Sequence, residues 1–578
     1  MLKLAVFLKK YKKECIIGPM FKFFEAVLEL LLPTIMAVII NDGVDSRNIN
    51  VVLRLGGLMA GLACLGYGCA LVCQFLASRA SQGVGTDLRN AVFEKISGFS
   101  YSQADTFGAP TLINRITNDV NQLQQWVAMM IRLLIRAPFI CIGAMVMAVI
   151  LDIKLSLILF AAIPVLAVII YFVTAKTAPL YRGYQKNLDG LGNVLRESLS
   201  GARVIRAFSK TDAERKHFAG ANSALTNNGL DIGNVTALFN PLTALVVNVA
   251  IIAILWAGGW QISLGSLRQG QVIAYISYVN QILYALLVVS NLIVLLTKSM
   301  ASAARINEIL DTPCELADAP DAKAPEILSD VPAVAFSHVS FGYNATGEKA
   351  VEDIDVRVGK GETIGVIGGT GSGKSTFVNL IPRFYDADSG AVELFGKNVK
   401  EIPAADLRKL IGVVPQKAVL FTGTVAENIR WGNPDASDEE VVRAADTAQA
   451  SEFITGLDGG YDAKIERGGS NLSGGQRQRL TIARALAEKP EILVLDDSSS
   501  ALDFATDAKL RAALRNDCSG MTVFIVSQRV GAVRSADRIL VFDNGRICGE
   551  GTHEQLVKSC EAYREICLSQ LSSEEAGI

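Results

Sequence analysis

Long runs of apolar residues fill the first 300 positions of the chain, and few charges interrupt them. A helix that crosses a membrane needs about 20 mostly apolar residues. Six runs reach that length, near residues 16–41, 51–78, 126–150, 155–175, 237–257 and 272–296. The long connections 79–125 and 176–236 keep helical periodicity without such runs. We therefore predict six spans whose helices extend roughly 25 Å beyond the bilayer.

The pattern changes after about residue 330, where short β-branched runs alternate with amphipathic helices, as is typical of an α/β domain. A polar stretch rich in Ala, Asp and Pro lies between the two parts. At the N-terminus, apolar residues alternate with lysines, which favours a helix along the membrane surface. The predicted parts are an interfacial helix at 1–13, a six-span membrane domain at 14–298, a linker at 299–330 and an α/β domain at 331–578.

The distribution of basic residues indicates an orientation for the spans. The N-terminus and the two long connections are basic, whereas the connections 42–50, 151–154 and 258–271 carry one basic residue each. Because basic loops stay in the cytoplasm, we expect a multi-pass plasma-membrane protein with its N-terminus and α/β domain in the cytoplasm. Six spans exclude a soluble enzyme, and a net charge of −2 provides no bulk attraction to nucleic acid.

Four charged residues interrupt the first and third spans. Glu25 and Glu29 share one helix face, and so do Arg132 and Arg136. Charges inside a membrane face a partner or a wet cavity. Two interpretations stay open: an ion pair between these helices near the cytoplasmic side, or the lining of a substrate cavity.

The strongest chemical motif is GGTGSGKST, which stands between the apolar strand ETIGVIG and the helical run FVNLIPRFY. In this context the glycines let backbone N–H groups surround phosphate oxygens at a helix N-terminus. Lys374 adds a positive charge at the β- and γ-phosphates, and the Ser375 hydroxyl can bind Mg²⁺. The predicted ATP-binding residues of this loop are Gly368, Gly369, Thr370, Gly371, Ser372, Gly373, Lys374, Ser375 and Thr376.

Two further motifs complete a phosphate site. The strand EILVLDD ends at Asp496, which we expect to hold Mg²⁺, and at Asp497, which occupies the position of a general base for the attacking water. The segment NLSGGQRQR opens a helix without a lysine of its own, so we expect it to close on phosphates that are held elsewhere. The ATP-contacting residues assigned to it are Ser473, Gly474, Gly475 and Gln476.

The combination of GGTGSGKST, LSGGQ and LDD…SALD resembles ATP-binding cassette (ABC) transporters. Six spans ahead of the cassette resemble exporter half-transporters, and the resemblance covers essentially the whole chain. It implies a membrane all-α six-helix domain with long cytoplasmic helical extensions, then an α/β P-loop NTPase cassette with a helical signature subdomain. It also implies ATP and Mg²⁺ as ligands, a second half-transporter in the bilayer, and an amphipathic drug, lipid or peptide as substrate.

The resemblance assigns roles to further residues. Tyr343, in FGY, matches the aromatic residue that stacks on adenine, and Gln416, in VVPQ, matches a glutamine at the Mg²⁺ and catalytic site. LSGGQ matches the signature that contacts the γ-phosphate on the opposite cassette, and Asp503, in SALD, matches a loop that crosses between cassettes. Segments 100–108 and 208–218 match the coupling helices.

Two positions depart from the family pattern. Asp497 stands where the family has a catalytic glutamate, so its carboxylate falls short by about 1.5 Å. A misplacement of about 1 Å can cost on the order of 100-fold in rate. Gln528, in VSQR, stands where the family has a histidine, and an amide can neither carry charge nor relay a proton. None of the three histidines of the chain lies near that strand.

These departures predict one half of a heterodimeric exporter. Its own site would bind ATP and hydrolyse it slowly, while its LSGGQ would complete a competent site on a partner that has the glutamate and the histidine. Two alternatives stay open: a homodimeric exporter in which Asp497 is a weak base, and a nucleotide-gated channel or regulatory membrane protein. An importer subunit is disfavoured, because importers usually keep the two domains on separate chains.

Overall fold

The computed structural model describes residues 3–313, 316, 323–325, 327, 330–343, 347–518 and 520–571. The chain divides into two compact units. One comprises Met1–Ser97 and Ala109–Thr312, and the other comprises Gly98–Gly108 and Pro313–Ile578. Residues 1–2 of the predicted interfacial helix and most of 314–330 of the predicted linker lie outside the described residues.

Long helices make up the first unit. The α-helices before residue 313 are α1 (Lys12–Val38), α2 (Ile49–Ser97), α3 (Tyr101–Phe107), α4 (Ala109–Asn114), α5 (Val120–Leu133), α6 (Arg136–Leu151), α7 (Ile153–Ser200), α8 (Ala202–Ala207), α9 (Thr211–Ala237), α10 (Phe239–Ser263) and α11 (Gln269–Asp311). A 3₁₀ segment, Lys3–Tyr11, leads into α1. Single π-helical segments, Ile39–Val44 and Arg115–Asp119, follow α1 and join α4 to α5.

Six of these continuous helical stretches are long and apolar enough to cross a membrane, which confirms the predicted number of spans. They are Lys3–Val44, Ile49–Ser97, Ala109–Leu151, Ile153–Ser200, Thr211–Ser263 and Gln269–Asp311. Lengths of 42 to 53 residues correspond to about 60–80 Å at a rise of about 1.5 Å per residue. About 30 Å suffices for the hydrocarbon core, so each stretch extends well beyond it.

The charged residues of the first and third spans form one cluster. The Arg136 guanidinium lies 2.7 Å from a Glu29 oxygen and 3.8 Å from Glu25, and Lys22 lies 2.6 Å from Glu25. The ion-pair interpretation therefore holds for Arg136. It does not hold for Arg132, which donates a hydrogen bond to the Ser78 hydroxyl at 3.1 Å.

Two boundaries differ from the sequence interpretation. The second long connection reverses at Phe208–Lys210, after the short helix α8, so most of the predicted tip at 208–218 belongs to the long helix α9. Residues 299–311, predicted as part of the linker, are helical as the last turns of α11. The first predicted tip does contain a short helix, α3, which belongs to the second unit and begins with a Ser100–Gln103 capping box.

The end of α11 packs through polar as well as apolar side chains. The Asp119 side chain is 3% exposed and accepts hydrogen bonds from the Ser302 hydroxyl at 2.9 Å and from Arg305 Nε at 2.8 Å. Arg115 donates to the Arg305 carbonyl at 3.0 Å and lies 2.9 Å from Glu308. These polar contacts add to a short apolar face, since Ile306 and Ile309 are fully buried.

The second unit is built on sheets. Its strands are β1 (Val334–Phe341), β2 (Val351–Val358), β3 (Thr363–Gly368), β4 (Ser389–Leu394), β5 (Lys397–Asn398), β6 (Ile411–Val414), β7 (Gly423–Thr424), β8 (Lys464–Ile465), β9 (Ile492–Asp496), β10 (Thr522–Ser527), β11 (Arg538–Asp543) and β12 (Arg546–Gly551). The main sheet has the order β12-β11-β3-β10-β9-β6, and a second, antiparallel sheet has the order β2-β1-β4-β5. Strands β7 and β8 pair separately.

Helices cover the main sheet and extend from it. They are α12 (Lys374–Leu380), α13 (Ala404–Lys409), α14 (Val425–Arg430), α15 (Asp438–Thr447), α16 (Ser451–Thr455), α17 (Gly474–Ala487), α18 (Phe504–Asp517), α19 (Val530–Val533), α20 (His553–Ser559) and α21 (Glu561–Gln570). Helices α14 to α17 follow β6 and precede β9, and α14 and α15 both pack on α17. This arrangement confirms an α/β cassette with a helical subdomain.

We expect Asp119→Asn to lower the free energy of unfolding of the first unit by about 2 kcal/mol. Breaking a buried pair costs more than that, but Arg305 is 46% exposed, so water screens part of the loss. The measurement is the thermal midpoint of the protein in detergent. Asp212→Asn, which breaks an i,i+3 pair at a side chain that is 91% exposed, serves as the control and should leave the midpoint unchanged. Equal shifts for both variants would contradict a structural role for Asp119.

Candidate nucleotide site

The carboxyl ends of three parallel strands bring the candidate residues to one edge of the main sheet. Val526 of β10 pairs with Val366 of β3 on one side and with Asp496 of β9 on the other. The glycine-rich loop follows β3, the two aspartates end β9, and Gln528 follows β10. Parallel strands end at the same edge, so the register alone makes these three segments neighbours.

The glycine-rich loop divides into glycines that contact protein and glycines that face open space. A Cβ atom at Gly373, where φ is +98°, would lie 2.5 Å from the Ala350 carbonyl oxygen, and one at Gly368 would overlap the Phe542 carbonyl. A Cβ at Gly369 or Gly371 would meet nothing within 4 Å. Gly369, Thr370 and Gly371 form the exposed rim of the loop. The open side fits phosphate groups held against backbone N–H groups.

Lys374 and Ser375 are held at the base of this loop. The buried Lys374 ammonium donates to the carbonyls of Gly368 at 3.0 Å and Gly369 at 2.5 Å, and to the Ser372 hydroxyl at 3.3 Å. The Ser375 hydroxyl donates to an Asp496 oxygen at 3.0 Å. A hydroxyl and a carboxylate oxygen in contact are a donor set that suits Mg²⁺.

Burial governs the electrostatics of the site. Desolvation lowers the pKa of Lys374, and the negative charges of Asp496 and Asp497 oppose that effect. Desolvation likewise raises the pKa of Asp496, whereas the hydrogen bond from Ser375 lowers it. For both Lys374 and Asp496, the neighbouring charges are too weak to offset the effect of desolvation on the pKa. A triphosphate would supply negative charge to Lys374, and a divalent cation would supply positive charge to Asp496.

Asp497 is fixed by its backbone. Its φ is +47°, a conformation that non-glycine residues rarely adopt, and its N–H donates to the Val526 carbonyl at 2.9 Å. Its own carbonyl accepts from the Ser500 hydroxyl at 2.8 Å and from the Ser500 N–H at 3.2 Å. The side chain accepts a hydrogen bond from the Gln416 amide at 3.3 Å. The backbone position of Asp497 is therefore determined by β10 and by the turn that follows.

Gln528 lies on an exposed turn that a distant residue holds. The Gln570 amide, at the end of α21, donates to the Gln528 carbonyl at 2.7 Å, and its oxygen accepts from the Val530 N–H at 2.9 Å. Sequence analysis did not identify Gln570, because it lies 42 residues away on a helix with no motif. Only the tertiary fold reveals this clamp.

Tyr343 lies beside the loop among other aromatic residues. Its ring meets Phe341 and Tyr385 edge to face, with centroids 5.1 and 5.3 Å apart, and its side chain remains half-exposed. Its hydroxyl is 3.0 Å from that of Thr376. The aromatic group extends to the first predicted tip, where Tyr101 lies 4.6 Å from Phe384. An exposed aromatic ring at the end of the phosphate loop is suited to stack on a planar nucleobase.

The signature loop begins α17 and is separate from the phosphate loop. Ser473 and Gln476 cap each other's backbone N–H groups at 3.3 and 2.8 Å. A Cβ at Gly474 would meet nothing within 4 Å, so this helix N-terminus is open. Asp503 caps α18 through Thr506. In the described segments 368–376 and 473–476, no hydrogen bond joins the two loops, as expected if the signature serves another chain.

Comparison with known proteins covers both units. A family model described as the ABC transporter transmembrane region matches residues 15–286, and one described as ABC transporter matches residues 351–500. An uncharacterized ABC transporter ATP-binding protein of Mycobacterium tuberculosis is 40% identical over 574 residues, which is 99% of this chain and 98% of that protein. A similarly described protein of Bacillus subtilis, YfiB, is 38% identical over 575 residues, with 99% of both chains covered.

A solved structure shares the fold along nearly the whole chain. It is described as a bacterial Atm1-family ABC exporter with ATP bound, and it matches with a TM-score of 0.78 at 23% sequence identity. The match covers 97% of this chain and 98% of the other. At this identity the likeness concerns the fold, and it includes both the membrane helices and the cassette.

Two glycine substitutions should separate steric clash from backbone strain. We expect Gly371→Ala, at φ +81° in open space, to lower the stability of the cassette by about 1 kcal/mol. Gly373→Ala adds a clash with the Ala350 carbonyl and should cost about 2–3 kcal/mol. Thermal unfolding without nucleotide measures both. The reverse order of the two midpoints would show that the loop is not packed as described.

Proposed function

This chain belongs to the ABC transporter family, as an ATP-driven exporter with fused transmembrane and ATP-binding domains, and on that premise we propose how its own ATP site works. We propose that the chain is one half of a heterodimer and that its site binds MgATP but hydrolyses it slowly. The bound nucleotide would lie between residues 368–376 of this chain and the signature of the partner. The LSGGQ of this chain would complete the partner's hydrolytic site.

The fixed backbone of Asp497 is the observation that carries this proposal. A shorter side chain could act as a base if the backbone moved toward the nucleotide by the missing length. Both backbone groups of Asp497 are hydrogen-bonded, to Val526 and to Ser500, and its φ is already unfavourable. A shift of about 1.5 Å would break these bonds and the register of β9 with β10. The Asp497 carboxylate would therefore lie farther from the attacking water than a glutamate carboxylate. This distance matters because proton transfer requires direct contact.

Gln528, which follows the neighbouring strand β10, supports the same proposal. Its turn is held by Gln570 through two hydrogen bonds, so its backbone resists displacement. Its amide offers one hydrogen bond to a terminal phosphate oxygen but no positive charge. The groups proposed for binding remain: the loop, Lys374, Ser375 and Asp496 with Mg²⁺, and Tyr343 against adenine. Binding without efficient hydrolysis is the expected result.

In the proposed cycle the nucleotide joins the two cassettes. ATP at each site adds phosphate contacts that exist only in the closed dimer, so it favours closure. The segments near 100–108 and 201–210 would transmit closure to the spans, and an amphipathic substrate would leave on the far side of the membrane. Hydrolysis at the partner's site would break one set of contacts, while the slow site of this chain keeps the cassettes partly joined.

Restoring the two family residues should raise ATP turnover. We expect Asp497→Glu combined with Gln528→His to increase turnover at this site by about 10- to 100-fold. The protein is assayed in lipid nanodiscs with saturating MgATP, together with its partner half if the chain alone is monomeric. The matched control is Asp497→Asn, which should change turnover by less than about 3-fold if Asp497 is not an effective base. A fall of about 100-fold in that control would favour the homodimer with a weak aspartate base.

The partner can be identified in a complex isolated from native membranes. We expect the complex to contain this chain and a second half-transporter in equal amounts, and the second chain to have glutamate and histidine at the positions of Asp497 and Gln528. Cross-linking in the membrane followed by intact-mass measurement provides the composition. A complex made only of this chain, with brisk ATP turnover, would contradict the heterodimer.

A further inference from the structure

In the first unit, which contains the six spans and is called the membrane unit below, the charged residues of the first and third spans include three positive charges, Lys22, Arg132 and Arg136, and two negative charges, Glu25 and Glu29. Lys22 and Arg136 pair with the two carboxylates of this cluster, and Arg132 lies one helical turn before Arg136. Glu25 is 2.6 Å from Lys22, and Glu29 is 2.7 Å from Arg136. Arg132 has only the Ser78 hydroxyl as a hydrogen-bond acceptor, at 3.1 Å, and forms no ion pair in the described part of the chain.

The position of Arg132 makes this unpaired charge unfavourable. Arg132 lies six residues inside the apolar run that begins near residue 126, or about 9 Å along the helix. Its Nε is buried and has no hydrogen-bond acceptor among the described residues. A guanidinium has five N–H donors, and a charged residue at this depth usually marks a ligand or ion path. An anion at Arg132 would satisfy both the charge and the unused donors.

The helix continues past Arg132 but lacks one backbone hydrogen bond there. Helix α5 ends at Leu133 and α6 begins at Arg136, and Pro138 offers no N–H to the Leu134 carbonyl one turn earlier. Ile135, three residues after Arg132 and therefore on the same helix face, is 46% exposed. Positive charge and exposed apolar surface therefore lie side by side.

We propose that Arg132 binds the carboxylate or phosphate head group of an anionic amphipathic ligand, whose apolar chain packs on Ile135. This proposal rests on the proposed exporter function and specifies its substrate class. Two sources share the chemistry: a transported amphipathic acid and an anionic phospholipid of the bilayer. Arg136 is engaged with Glu29 and would position the site rather than bind the anion.

The test uses the full chain in phosphatidylcholine nanodiscs, with radiolabelled oleate as the probe and oleyl alcohol as a neutral ligand of the same length. We expect saturable oleate binding that the alcohol displaces at least about 10-fold more weakly than unlabelled oleate. Arg132→Gln should weaken oleate binding about 10-fold or more, and Arg132→Lys should weaken it less. The matched control, Arg54→Gln, removes an exposed arginine from α2 and should bind like the parent.

The lipid composition distinguishes the two sources. If phosphatidylglycerol in the nanodisc abolishes oleate binding and co-purifies with the parent but not with Arg132→Gln, the lipid head group is the occupant. If oleate binding persists in both lipids, the transported acid is the occupant. Equal binding of acid and alcohol to the parent would overturn the proposal without any variant, as would an unchanged Arg132→Gln, which would indicate a carboxylate from the partner subunit. Each protein is first shown to bind fluorescent ATP, so failure of the ATP site is detected separately.

Discussion

The parallel register of β3, β10 and β9 is the constraint on which the nucleotide site depends. One row of the sheet, Val366, Val526 and Asp496, fixes the ends of three strands relative to one another. All side chains of β9 and β10 are buried, so a one-residue slip would move each of them to the opposite packed face and disrupt the packing of both faces. The core of the cassette therefore determines the positions of the phosphate loop, the aspartates and the turn at Gln528. With these backbone positions fixed, only the length and the chemistry of the side chains can change the nucleotide site.

Because the backbone positions are fixed, a change of side chain at Asp497 or Gln528 directly changes the chemistry of the site. On a mobile loop, a change from glutamate to aspartate could be accommodated by the backbone. Asp497 directly follows a buried strand and donates its N–H to Val526, so a shorter side chain means a longer gap to the nucleotide. The residues proposed to bind ATP are not shortened in this way. Lys374 and Ser375 lie at the start of α12 and contact groups of the same sheet edge. The same rigidity that preserves binding would thus limit hydrolysis.

Local pattern was sufficient for some parts of the structure and insufficient for others. The six spans and the phosphate loop follow from runs of adjacent residues, and both were predicted with the correct context. The end of α11 was assigned to the linker because polar residues such as Ser302 and Arg305 end the long apolar run, although Ile306 and Ile309 are fully buried there. Gln570 was missed because its role arises from contact with a turn 42 residues away. Sequence patterns reveal elements that bury apolar surface, whereas polar tertiary contacts leave no periodic signal.

Each unit contains a partly or fully buried positive charge, Lys374 in the second and Arg132 in the first, and the two differ in their hydrogen-bond partners. Lys374 is buried, but carbonyl oxygens accept its hydrogen bonds and two aspartates lie nearby, so the loop is held ready before a phosphate arrives. Preorganisation of this kind lowers the cost of binding. Among the described residues Arg132 has one hydroxyl partner and no carboxylate, so its charge is less compensated in a medium that solvates charge poorly. A site that lacks its counter-charge gains most from a ligand that brings one, which is the physical reason for the anionic ligand proposed at Arg132.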